Sequence, residues 1–141
     1  MKLTVNRADV WTVTIEDQAG GTAEKLKPLA TAGANFEFVL ARRTPEQPGK
    51  GILFVWPVKG AKVIRAAQEA GFAKSGNIHS VRIEGADKPG LGAKIACALA
   101  DAGINFRGLS ATALGRKFVS HLALDSAEDA AKAVSVLKKL S

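Results

Sequence analysis

The chain has a single cysteine, Cys97, in 141 residues. That excludes an internal disulfide and any thiol cluster able to hold a metal. Histidine is nearly as scarce. His79 and His121 stand alone on strand-like segments, with no partner at the spacing of a metal site or a catalytic triad. No apolar run reaches the ~20 residues that span a bilayer, and the opening Met-Lys-Leu-Thr-Val-Asn-Arg lacks the apolar core of a signal peptide. These absences predict a cytoplasmic protein with no membrane partner. Nor can a nucleophile–base pair, a phosphate loop or a metal cluster be assembled, so catalytic, metal and cofactor residues are all expected to be none. Local charge density is missing too. Lysine and arginine outnumber aspartate and glutamate 20 to 13, yet they are strewn from Lys2 to Lys139 without a dense block. Clustering rather than total charge marks a nucleic-acid footprint, so the net +7 reads as a dispersed, solubilising surface.

What the chain does have is a repeat of itself. Shifted by 70 residues, the stretch Asp17 to Phe36 falls without a gap on Asp87 to Phe106. Asp17/Asp87, Gly20/Gly90, Ala23/Ala93, Leu29/Leu99, Ala30/Ala100, Ala32/Ala102, Gly33/Gly103, Asn35/Asn105 and Phe36/Phe106 are identical. A period of 70 is too long for a solenoid unit and suits one small α+β domain. Two modules are expected, 1–74 and 75–141. Each would be marginal alone, so packing against another module or a second chain follows.

Each module reads β-α-β-β-α. In the first, Trp11, Val13 and Ile15 alternate with threonines as a half-buried strand. A loop at Glu16 to Gly21 precedes a helix over Thr22 to Ala32, capped by Gly33. Strands follow at Phe36–Ala41 and Gly51–Val58, the latter apolar on both faces and therefore central. The last helix is Ala61–Ala70. Pro28 falls within the first helix, where its missing donor predicts a late start or a kink. The second module repeats the plan with strands at Ile78–Glu84, Phe106–Ala113 and Phe118–Leu124. Its helices are Leu91–Ala102 and Ala127–Leu140, the latter with Ser126 as N-cap. Leu91, Ile95, Leu99 and Ala102 recur at helical spacing and mark a core face. Cys97 reads as a small buried apolar residue, and Trp11 and Trp56 as core or interface anchors. Both modules lack a full closing strand. Phe72 to Asn77 is available to the first, while Lys2 to Asn6 is the spare segment that can pair with a sheet edge of the second.

Chemistry concentrates in the loop before the first helix of each module. In the second it reads Glu-Gly-Ala-Asp-Lys-Pro-Gly-Leu-Gly over residues 84–92. Pro89 suits a helix start, Gly90 and Gly92 let a ligand approach bare backbone, and free amides at a helix N-terminus favour a carboxylate. Asn105 opens the next strand and is placed near the same end of the sheet, where its amide can both donate and accept. Asp17 and Asp87 also have a purely local explanation as turn formers.

The segments Asp-Lys-Pro-Gly-Leu-Gly-Ala-Lys-Ile and Ala-Asp-Ala-Gly-Ile-Asn resemble the ACT domain, and the likeness covers most of the chain as a tandem pair. The resemblance implies two ferredoxin-like βαββαβ modules in the α+β class, with antiparallel sheets and helices on one face. It further implies a regulatory module that binds amino acids or similar small carboxylate effectors, commonly at an interface between modules. Carried over by residue, the ligand contacts are Asp87, Lys88, Pro89, Gly90, Leu91 and Asn105, with Asp17, Gln18, Gly20, Gly21 and Asn35 in the first module. The first loop departs from the pattern, with Ala19 for the proline and Gly21 for the leucine.

An amino-acid-responsive regulator without catalysis, acting as a homodimer or on a regulated enzyme, is the reading these features favour. RNA binding competes, because the fold plan is shared with the RNA-recognition motif and Lys50 to Trp56 partly echoes its third-strand signature. Ile52, however, replaces an aromatic needed for stacking. A ligand-free interaction module and a small enzyme complete the alternatives.

Overall fold

A computed structural model describes residues 2–140; Met1 and Ser141, the outer ends of the two expected modules, lie outside the described residues. The order is β1 (Thr4–Arg7), β2 (Trp11–Glu16), α1 (Gly21–Thr31), β3 (Phe38–Arg43), β4 (Lys50–Trp56), α2 (Ala61–Glu69) and β5 (Ala73–Lys74). Then follow β6 (His79–Ala86), α3 (Leu91–Asp101), β7 (Gly108–Leu114), β8 (Lys117–Leu124) and α4 (Ala127–Lys138). The chain divides into two compact units, one of Asp9–Ser75 and one that joins the segment up to Ala8 to the segment from Gly76 onward.

The Asp9–Ser75 unit is a four-stranded sheet in the order β3-β4-β2-β5 with every neighbouring pair antiparallel. This is the βαββαβ order, closed by the two-residue β5. Trp11, Val13 and Ile15 of β2 and Leu53 and Val55 of β4 point to one face, where they bury against Leu29 of α1 and Ala67 of α2. Period-two alternation produces that face directly. Helix α1 starts at Gly21 and runs through Pro28, so the late start expected from the proline does not occur. The β3 strand also begins two residues later than its pattern suggests and extends to Arg43.

The second unit has the order β1-β6-β8-β7, again antiparallel throughout. Here β1 takes the edge position that β5 holds in the other sheet, with Val5 opposite Ile83. Leu3 and Val5 are buried at 4% and 1% exposure, inside a core with Val81, Ile83, Leu99 and Leu122. The Leu3 side chain lies where a side chain on residue 85 would go; a Cβ on Gly85 would meet its Cδ2 at 2.7 Å. Ser126 caps α4 as expected, its Oγ accepting from the Asp129 N–H at 3.0 Å. Cys97 is exposed on α3, which corrects its reading as a core residue. It sits between Ile95 and Leu99 on the helix, and the buried stripe passes it by.

Candidate functional site

The β6–α3 loop is held by its backbone, leaving its side chains free. The Asp87 N–H donates to the Arg116 carbonyl at 2.8 Å, and the Leu91 N–H closes a turn on the Lys88 carbonyl at 3.2 Å. Gly90 is the N-cap in left-handed conformation, φ 81°, and no side chain caps the helix. Past Leu91, the Gly92 and Ala93 amides have no such partner among the described residues and remain available to an anion. Asp87, Lys88, Pro89 and Gly90 are exposed, and the Asp87 side chain makes no hydrogen bond or ion pair among the described residues. Leu91 differs. Its side chain is 2% exposed and belongs to the core, and its N–H is spent on Lys88, so it anchors the loop rather than facing a ligand.

The first loop has the same backbone and a different chemistry. Asp17 donates its N–H to the Gly49 carbonyl at 3.0 Å, Gly21 closes the turn on Gln18 at 3.0 Å, and Gly20 has φ 87°. Asp17 is engaged, however: its Oδ2 accepts from Arg43 Nε at 2.8 Å. Beside it Lys50 Nζ reaches Glu16 Oε1 at 2.6 Å. The position equivalent to Arg43 in the second unit is Ala113, which leaves Asp87 without such a partner. Gly21 is needed for space, since a Cβ there would drive into the Glu16 carbonyl oxygen. Arg43 and Gly49 carry no motif of their own, and only the strand register brings them to the loop.

Asn35 and Asn105 are exposed and follow the helix caps at Gly33 and Gly103. The expectation that they share an end of the sheet with the loops is wrong. Two residues beyond Asn105, the Arg107 N–H donates to Ala123 at the finish of β8, while Asp87 is tied to Arg116 just before β8 begins. Glu37 N–H to Trp56 and Asp17 N–H to Gly49 separate Asn35 from its loop in the same way. A strand–helix–strand crossover returns the chain to the end it started from. The eight-residue β6 thus puts about 23 Å between the two halves of the site within one module.

A further charged group lies on the helix-free face of the second sheet. Arg82 stands opposite His121 in register, and Glu84 pairs with Arg82 at 3.6 Å and Lys117 at 3.3 Å. The hydrogen bond from Lys117, then the charge of Arg82, holds the Glu84 carboxyl below its usual range. Burial, with the Arg82 charge adding to it, lowers His121 from 6.5 to about 4, so it is neutral at pH 7. On the corresponding face of the first sheet Phe54 is the aromatic that an RNA base would have to stack on. It is 7% exposed, with the Arg42 guanidinium 6.0 Å from its ring centroid. That ring is covered, while Trp56, two residues along on the same face, is half-buried.

Among the described residues, no helix is long and apolar enough to cross a membrane, and no three His, Cys, Asp or Glu side chains gather where a metal ion could sit. Comparison with known proteins matches residues 79–141 to the ACT domain family. No curated protein matches the chain. Among solved structures, a protein from Bacteroides thetaiotaomicron superposes with a TM-score of 0.76 at 22% identity, covering 96% of this chain and 89% of that one. The regulatory subunit of aspartate kinase from Thermus thermophilus gives 0.65 at 17% identity, over 99% and 97% of the two chains. An aspartate kinase from Clostridium acetobutylicum gives 0.60 at 18%, with 98% of this chain lying on 33% of that enzyme.

Proposed function

We propose that this chain, whose residues 79–141 match the ACT domain family, is a tandem pair of ACT-type modules serving as a non-catalytic regulatory protein that binds an amino acid or a similar small carboxylate. The observation that carries this reading is the start of α3, an uncapped helix N-terminus beside an unpaired Asp87 on an exposed loop. The amides suit the carboxylate of an amino acid and the Asp87 carboxylate suits its ammonium. Asp87, Lys88, Pro89 and Gly90, anchored by the buried Leu91, form this half. Asn105 forms the other, and the length of β6 keeps them too far apart for one small molecule to touch both within a module. A ligand that touches both bridges two modules, and its binding favours the arrangement that brings them together. The equivalent residues Asp17, Gln18, Gly20, Gly21 and Asn35 make a weaker site, because Arg43 already occupies Asp17. The protein would act as a homodimer or on a separate enzyme.

A thermal-shift screen of the purified protein against the twenty amino acids, with calorimetry on the hits, tests this. A ligand at 100 times its dissociation constant should stabilise by about 2.7 kcal/mol. Asn105→Ala should weaken binding by ~1–3 kcal/mol if its amide meets a charged ligand group. A blank screen would end the amino-acid reading.

A further inference from the structure

The two loops of the 70-residue repeat share a backbone and differ in charge. Gly20 and Gly90 are both left-handed, and the Glu24 and Lys94 N–H groups donate to their carbonyls at the same 2.9 Å. Three positions separate the chemistry. Gln18, Thr22 and Glu24 stand in the first loop where the second has Lys88, Gly92 and Lys94. From Asp17 to Glu24 there are two carboxylates and no cation; from Asp87 to Lys94 there are one carboxylate and two cations.

The fold explains neither Gly92 nor Lys94. Gly92 has no positive φ, and a Cβ built on it would meet nothing within 4 Å. Alanine would fit there and hold the helix better. Lys94 is exposed in the first turn of α3, where the helix dipole disfavours a cation; Glu24 gives α1 the favourable sign. No acidic residue stands three or four positions from Lys94 to offset it. Among the described residues, Lys88 and Lys94 make no ion pair. Two local rules broken in one helical turn point to a functional constraint. An anion at this turn resolves both: it offsets Lys94, and the bare Gly92 lets it come close to the backbone.

We propose that the effector of the second unit carries a second carboxylate, as an amino acid of the aspartate or glutamate kind. The α3 amides and Asp87 take its α-carboxylate and ammonium, and Lys88 and Lys94 take its side-chain carboxylate. An effector with a neutral side chain would leave Lys94 facing the dipole with nothing gained. This inference rests on the amino-acid reading above and narrows it to one class.

Calorimetry on the full chain tests it, with L-aspartate and L-glutamate set against their uncharged isosteres L-asparagine and L-glutamine. At least one acid should bind about tenfold or more tighter than its amide. Lys94→Glu installs the residue of the first loop and should erase that preference, while raising the melting temperature of the second unit. Gly92→Ala should also raise the melting temperature, yet weaken binding of the acid by about fivefold or more. A loss of binding with a gain in stability is not a folding defect. Lys88→Gln, on the exposed loop, should lower the preference as well and serves if Lys94→Glu does not fold. Amides that bind as tightly as the acids would overturn the proposal, as would a preference that survives both lysine variants. Either result leaves the amino-acid reading standing, whereas a blank against all twenty amino acids removes both.

Discussion

Replacing Ser120 by alanine should make the second unit more stable. Ser120 is 0% exposed on the core face of β8, opposite Ile83 in register, and its Oγ has no hydrogen-bond partner. The matching position in the first unit is Leu53, opposite Val13 and equally buried. A buried hydroxyl that makes no hydrogen bond costs roughly 1–3 kcal/mol. Removing it leaves a void of about 10 Å³, which at ~24 cal/mol per Å³ returns only a few tenths of a kcal/mol. The net expectation is a gain of about 1–2 kcal/mol, or several degrees in melting temperature for a unit of this size. Both tryptophans, Trp11 and Trp56, lie in the Asp9–Ser75 unit. Tryptophan fluorescence therefore follows the first unit, while circular dichroism and calorimetry also see the second. Ser120→Ala should raise the transition that fluorescence does not report and leave the other in place. A fall in that transition would mean that the hydroxyl is paired, and the argument from an unmade hydrogen bond would be lost.

Gly21→Ala forces a Cβ into the Glu16 carbonyl, and urea melts should show a loss of about 2–3 kcal/mol in the first unit. Leu3→Ala should cost roughly 2–5 kcal/mol, and in the second unit rather than the first, as the two calorimetric transitions would reveal. His121, with its pKa lowered from 6.5 to about 4, takes up a proton more readily unfolded than folded. Stability should therefore decline as pH falls from 6.5 toward 4, and His121→Gln should flatten that slope in melts taken across the window. Glu84, held below the usual 4.5, adds its own loss only at lower pH, as its carboxylate is protonated.

The repeat was the legible part. Gly33, Gly103 and the alternation in β2 mark their elements from the sequence alone, and the strand order follows from that plan. The candidate loops were legible as well, since Gly20 and Gly90 share a conformation that few other residues adopt. Relations across the sheet were not. Arg43 reaches Asp17 only because β3 and β4 pair in a particular register, and nothing near either residue announces it. The error over Asn105 came from reading adjacency to a motif as nearness in space, when a crossover connection spans the whole strand. Cys97 fell to the same kind of limit: a small apolar-looking residue inside a helix is core or surface by a rotation of one position.

The edge strand β1 has a consequence for how the chain is made. Val5 is synthesised first and must wait for Ile83, 78 residues later, before it has a partner. In the interval the whole Asp9–Ser75 unit is made, with all its own contacts close at hand. Local contacts form sooner than distant ones, so the intervening unit should fold while the leading strand is still unpaired. Removing β1 would injure the unit built from β6 onward and spare the one that directly follows it in sequence.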